Sequence, residues 1–222
     1  MNNLVITGKG NFDGDTLLAV KSLQTSVGLF DLFTPENLTI QDLIIRDANL
    51  NLLVDSLEKA NWKVFPESDK TPEPGKEEDT SSLKMKLDKI DISNSRVVYN
   101  DKGMPLKLEL GDINLLVKGD MYGNNTRLNA SGFAGQTDLE YDHVTYISKV
   151  RLDINSNLDI DFDKWLFRFD ESELLVNNLP LELKGNFSIP GDSMLFDLGF
   201  ISKVSDISEY LQLVPPDYVH YI

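Results

Sequence analysis

The sequence predicts a mainly β protein, an elongated, curved antiparallel sheet of repeated β units with one or two short helices. Three observations carry that prediction. Between Leu83 and Asp101 the apolar residues recur every second position, the period of a strand with one buried face. A matching pattern stands about 47 residues earlier, setting Ile40 against Leu87, Leu43 against Ile90, Ile45 against Ile92, Ala48 against Ser95, Leu50 against Val97 and Leu52 against Tyr99. Turn-forming clusters of Gly, Asn, Asp and Ser then punctuate alternating runs along most of the remaining chain.

The stretch 83–101 reads as strand, turn, strand. Leu83, Met85 and Leu87 share a face, the phase slips by one at Asp88-Lys89, and Ile90 and Ile92 take over. Such a slip is the mark of a bulge, which lets both halves of a strand keep the same buried side. After Ser93-Asn94-Ser95, read as the turn, Val97 and Tyr99 resume the pattern, and Asn100-Asp101-Lys102-Gly103 closes it. The second copy makes the chain a set of like units laid side by side, each covering its neighbour's apolar face.

Taken in order, Leu4 and Ile6 open the chain, and glycines surround Phe12. Leu18, Val20 and Leu23 follow, then a short apolar knot from Val27 to Phe33. The first unit ends near Ala60-Asn61-Trp62. Residues 66–82 contain no apolar side chain and read as a mobile acidic, Pro-rich loop inserted between strands. Leu106, Leu108 and Leu110 give way to Ile113, Leu115 and Val117 with another slip at Gly111-Asp112. Later strands are expected around Leu128, Ala130 and Phe133, with a hairpin at Gly135-Gln136. Val150, Leu152 and Ile154 form the next run, and Leu158, Ile160 and Phe162 resume after a turn at Asn155-Ser156-Asn157. Trp165, Phe167 and Phe169 read as an aromatic strand, and Leu179, Leu181 and Leu183 run on toward Gly185. The one clear helix lies at 205–214, where Ser205 or Asp206 caps, Ile207, Tyr210, Leu211 and Val214 fall on one face, and Pro215-Pro216 stop it. The whole, 1–222, reads as one β-rich domain cut from a longer protein.

Composition removes several functions. A net charge of −15 with a pI near 4.4 argues against nucleic-acid binding, which needs clustered Lys and Arg, and against direct docking on an anionic membrane. There is no cysteine, hence no disulfide and no thiolate metal site. No run of 18 apolar residues spans a membrane, and no secretory signal opens the chain. Asp159, Asp161 and Asp163 alternate on a strand, but a calcium loop would want glycine where Lys164 stands, so an acidic solvent-facing strand is the better account. The only histidines, His143 and His220, sit in no metal-ligand spacing, and no nucleophile elbow or phosphate loop is present. No enzyme activity, cofactor or metal is expected. Trp62, Trp165, Phe167 and Phe169 could stack on a sugar, but their placement among Leu and Ile favours packing.

Phe12-x-Gly14-Asp15-x-Leu17-Leu18-Ala19, the Val27 to Phe33 knot, the Ile40 to Val54 unit, Ala60-Asn61-Trp62, the acidic gap, the Leu83 to Tyr99 unit and Leu115-x-Val117-x-Gly119 together resemble the AsmA family of bacterial envelope proteins. Ile207-Ser208-Glu209-Tyr210-Leu211-x-Leu213-Val214-Pro215 is similar to a segment of its Bacteroidetes members. Leu57-Glu58-Lys59 departs from the Asp-Gly that members usually carry before the Asn-Trp pair. The resemblance implies a longer protein, tethered in the inner membrane by an N-terminal helix that this stretch lacks and lying on the periplasmic side. It also implies a build similar to chorein-type lipid-transfer bridges, with an open apolar groove. The expected partner is a phospholipid or other acyl-chain lipid, and the expected role is phospholipid transport between membranes or outer-membrane maintenance. The groove would be lined by Leu83, Met85, Leu87, Ile90, Ile92, Val97, Tyr99, Leu108, Leu115, Val117, Leu152 and Ile154. The alternative is a structural module whose open sheet edges, at Leu4 and near Gly199-Phe200-Ile201, bind envelope proteins by strand addition.

Overall fold

A computed structural model describes residues 2–27, 40–62, 88–119, 125–190, 195–204, 206–211 and 214. Among these residues ten strands form one sheet whose spatial order is the chain order: β1 (Asn2–Thr7), β2 (Thr16–Val27), β3 (Ile40–Val54), β4 (Lys89–Asp101), β5 (Leu106–Lys118), β6 (Asn125–Tyr141), β7 (Val144–Asp161), β8 (Leu166–Val176), β9 (Leu179–Ser188) and β10 (Leu195–Ile201). All neighbours pair antiparallel except β3 and β4, which run parallel. A short 3-10 turn at Gly10–Phe12 links β1 to β2, and one helix, α1 (Ile207–Leu211), follows β10, with the Asp206 carboxylate accepting the Ser208 N–H at 2.9 Å.

The repeat in the sequence has a geometric meaning that differs from the expected one. The two matched stretches are not two hairpins but two single strands lying side by side in parallel, with Leu43 beside Ile90, Ile45 beside Ile92, Leu50 beside Val97 and Leu52 beside Tyr99. Ser93-Asn94-Ser95 is a bulge within β4 rather than a turn. Gly135-Gln136 and Asn155-Ser156-Asn157 likewise lie inside β6 and β7. Each of these clusters holds small polar residues, which favour turns and bulges alike; only pairing with a neighbouring strand distinguishes the two. The first part of the 83–101 unit, with Leu83, Met85 and Leu87, the 66–82 segment and the apolar knot beyond Val27 lie outside the described residues, as do 205 and 212–213 of the expected helix.

Slips recur across the middle of the sheet and keep one side apolar. Between β4 and β5 the pairs Ile92 with Leu115 and Ser95 with Ile113 advance three residues on one strand against two on the other. The next pair, Val97 with Leu110, reverses that count. The extra residues Asn94, Asp112 and Lys149 sit in the left-handed region, at φ 48°, 51° and 54°, as does Asp47 of β3 at 52°. Asn and Asp tolerate that conformation best after glycine, so three of the four sites carry a suited residue. Asn94 Nδ2 donates to Asp47 Oδ1, and Asn94 N–H donates to Asn114 Oδ1 at 3.3 Å, tying the β4 bulge to the strands on either side.

Candidate functional site: an uncovered apolar sheet face

Because directly paired residues share a face, the register traces apolar rows running across the strands. Leu52, Tyr99, Leu108, Leu139 and Ile147 make one row. A second, Leu18, Leu50, Val97, Leu110, Thr137 and Val150, begins on β2. Ile113, Ala134, Leu152, Val176 and Leu179 form a third, and Ile45, Ile92, Leu115, Gly132, Ile154, Leu174 and Leu181 a fourth. Leu43, Ile90, Val117 and Ala130 follow, and Ile160, Phe167, Phe187 and Phe196 line the far corner. In that corner Phe187 stacks between Phe167 and Phe196 with ring centroids 5.5 and 5.0 Å away.

The reverse face is ionic. Its salt bridges cross between strands or step along one: Arg46 to Asp91 at 2.7 Å, Arg96 to Glu109 at 2.8 Å, Arg127 to Asp159 at 2.8 Å, Arg151 to Asp153 at 2.7 Å, Lys184 to Glu182 at 2.7 Å and Lys89 to Asp42 at 3.4 Å. Hydrogen bonding to the facing guanidinium holds the Asp91 and Asp159 carboxyls below their ordinary range. One face therefore meets water through paired charges and the other does not.

Among the described residues only Trp62 reaches over the apolar face, at one corner. Every substantial contact between elements joins neighbouring strands, with no second sheet or helix layer packed against them. Leu128, Ala130, Val150, Ile160 and Leu183 are buried on this side, while Ile90, Ile92, Val97, Tyr99, Leu108, Leu115, Val117, Leu152 and Ile154 are only half-buried. The structure thus places those nine sequence-predicted residues on one face of one sheet; Leu83, Met85 and Leu87 are outside what it describes. Sequence reading passed over Gly132, where an added Cβ would come within 2.1 Å of the Asn114 carbonyl oxygen, so β5 and β6 need a bare backbone there. It also passed over Thr137, whose buried hydroxyl has no partner among the described residues.

One corner of the face is closed by the Asn-Trp pair. After β3 the chain turns back and Ala60 bridges Val54. Asn61, 2% exposed, then completes the ladder with its side chain: Oδ1 accepts the Leu53 N–H at 2.9 Å and Nδ2 donates to the Asn51 carbonyl at 2.8 Å. Trp62 follows and lies against Tyr99, ring centroids 6.5 Å apart. Leu57-Glu58-Lys59 makes its turn without glycine, because Asp55 Oδ1 accepts both the Leu57 and Lys59 N–H groups and Glu58 takes φ 60°.

Two aromatic or acidic features differ from expectation. Trp165 is not in a strand but in the turn before β8, at φ 46° and 53% exposed, since β8 begins only at Leu166. The 159–163 carboxylates do not share one environment: Asp159 pairs with Arg127, whereas Asp161 is buried and held by the Lys164 ammonium and N–H at 2.8 and 3.2 Å. Among the described residues no group of three metal-ligating side chains converges, and no helix is long and apolar enough to cross a membrane.

Among the described residues a single-layer sheet, apolar on one side and ion-paired on the other, defines the class. The AsmA family model matches residues 1–171, and the chain belongs to that family. No curated protein and no solved structure matches the chain.

Proposed function

We propose that the chain is a non-enzymatic part of an AsmA-type cell-envelope protein, acting on the periplasmic side of the inner membrane. Its uncovered apolar face carries phospholipid acyl chains between membranes or in support of the outer membrane. The observation that carries this reading is the apolar face itself, continuous over eight or more strands and left half-exposed. A monomeric soluble domain ordinarily keeps its largest exposed apolar patch to a few hundred Å². Acyl chains laid along the rows would remove that surface from water, and their headgroups would stay at the rim. The AsmA membership supports the envelope setting, and the charge of −15 is consistent with the choice of acyl chain over anionic headgroup as the recognised part.

Native mass spectrometry of the 222-residue chain mixed with palmitoyl-oleoyl phosphatidylethanolamine in mild detergent tests the proposal. Bound lipid is expected, and Ile92→Asp combined with Leu115→Asp, neighbours in the fourth row, is expected to reduce it at least several-fold with the circular dichroism of the sheet unchanged. Lipid occupancy indifferent to those substitutions would remove the apolar face from the account.

A further inference from the structure

Among the described residues β1 and β10 are the outer strands of the sheet, and they are built differently. β1 carries Asn2, Asn3 and Thr7, bends at Asn3 with φ 59°, and slips register between Ile6 and Thr7. Those are the devices by which an edge avoids pairing with another chain. β10 has none of them. Its seven residues, Leu-Phe-Asp-Leu-Gly-Phe-Ile, pair with β9 at every position without a shift. It contains no Lys or Pro and a single charge. It exposes large apolar side chains on both faces, with Phe196 59% and Phe200 55% exposed on the apolar side and Leu195 56% and Ile201 47% on the other. In a chain of net charge −15, this strand is a conspicuously neutral edge, and among the described residues nothing pairs with its outer side.

We infer that β10 pairs antiparallel with β10 of a second copy of this chain, about a two-fold axis through Leu198. The sequence of the strand is self-complementary about that residue. The register sets Phe196 opposite the second copy's Phe200 and Leu195 opposite its Ile201, each twice, with Leu198 facing itself. Asp197 falls opposite Gly199, so the one charge of each strand is never set directly against its twin. Opposite residues of an antiparallel pair share a face, so the stacked Phe167, Phe187 and Phe196 would run on into Phe200 of the second copy. The two apolar faces would then join without a step. Any other centre within the strand shortens the ladder and takes Phe196 off Phe200. A two-fold contact of this kind closes on itself and leaves no further β10 edge to recruit a third copy. This pairing stands apart from lipid binding, because it is made by backbone groups and strand-edge side chains whether or not the rows behind them hold acyl chains.

The absence of cysteine makes the test direct. Sedimentation of the full chain over a concentration series is expected to show a reversible monomer–dimer equilibrium. Leu198→Lys, which sets two like charges face to face on the axis, is expected to shift it toward monomer by at least tenfold in Kd. The circular dichroism of the sheet should stay unchanged. Under mild oxidation Leu198→Cys is expected to give a disulfide-linked dimer, and Val5→Cys on the β1 edge to stay monomeric under the same conditions. A chain that is monomeric throughout and does not cross-link through Leu198→Cys overturns the inference, as does a dimer that ignores Leu198→Lys or links through Val5→Cys. A wild-type chain that stays monomeric while binding lipid would reject the pairing and spare the lipid reading; a wild-type dimer that binds no lipid would do the opposite.

Discussion

Asn61 does the work of a strand residue with its side chain, and that makes it the position where a single atom exchange should cost most. Truncation by Asn61→Ala leaves a buried N–H on Leu53 and a buried carbonyl on Asn51 without partners. At about 1–3 kcal/mol for each orphaned group, the expected loss is several kcal/mol in urea unfolding. Tyr99 offers a second readout. Burial, with the Asp101 carboxylate 2.9 Å from its hydroxyl, pushes its pKa up to about 12. In the unfolded chain the phenol ionises near 10, so folding stability from this group is intact below that pH and is lost as the pH rises from 10 toward 12. In a spectrophotometric titration one of the seven tyrosines should ionise late, and Asp101→Asn should bring it back toward the others. The acid limb has the opposite sign. Asp159, held down by Arg127, contributes stability above its ordinary value of 3.8 and loses it as the pH falls below. The melting-temperature gap between the wild type and Arg127→Gln should therefore close on acidification. The Asn-Trp pair was visible in the sequence as a motif, but the reason for it was not. The two backbone groups that Asn61 satisfies belong to a strand that ends before it, and only the fold brings them within reach.

At the scale of the strand, the slips were legible because apolar residues three apart inside a two-residue period leave a mark. The Gly111-Asp112 slip appears in β5 where the alternation places it, with Asp112 at φ 51°. What the alternation could not say is whether a polar cluster turns the chain or only bulges it, so β4, β6 and β7 were each read as broken where they are continuous. The direction of the β3–β4 pair was hidden for a related reason. An offset match between two strands looks the same whether the units are distant repeats or direct neighbours in parallel. The hydrogen bonds Arg46 to Ser93 and Ala48 to Ser95 join residues of that same offset. The bulges themselves can be tested by conformational preference. Asp112→Gly should be close to neutral, whereas Asp112→Val forces a branched side chain into the left-handed region at a cost of about 1–2 kcal/mol in denaturant unfolding. Gly132→Ala belongs to the same scale, since the added methyl meets β5 backbone rather than a yielding side chain. A loss of about 1–3 kcal/mol is expected.

For the molecule as a whole, period-2 patterning told which side of each strand avoids water but not what covers it. A sandwich and an open sheet write the same alternation into their strands, and only the contacts between elements tell them apart. A charge scan separates half-covered from closed positions. Ile92→Asp, at a half-buried site, should leave the sheet folded with a moderate loss of stability. Leu128→Asp, at 3% exposure, should unfold it or come close. Equal and severe effects at both positions, read by thermal melting, would mean that the face is shut. Of the twelve residues expected to line a groove, nine are described. These nine share a face, while the row-forming Leu139, Ile147, Val176 and Leu179 were not picked out. They sit beside bulges or turns that break the local alternation, and no single strand displays the row to which they belong.

Spatial order that repeats chain order has a thermodynamic consequence. Among the described residues each strand draws its support from the strands beside it, so stability should behave as a chain of nearest-neighbour couplings rather than a single all-or-none quantity. Opening would proceed inward from β1 and β10, and a weakened β9 would leave hydrogen exchange in β2 unaltered. The parallel seam divides this series. β3 and β4 are connected only through residues 55–88, while each joint from β4 to β10 is made by the chain turning directly back. The seam is thus the joint with the longest loop to close, and the place where the sheet should part into two separately melting blocks.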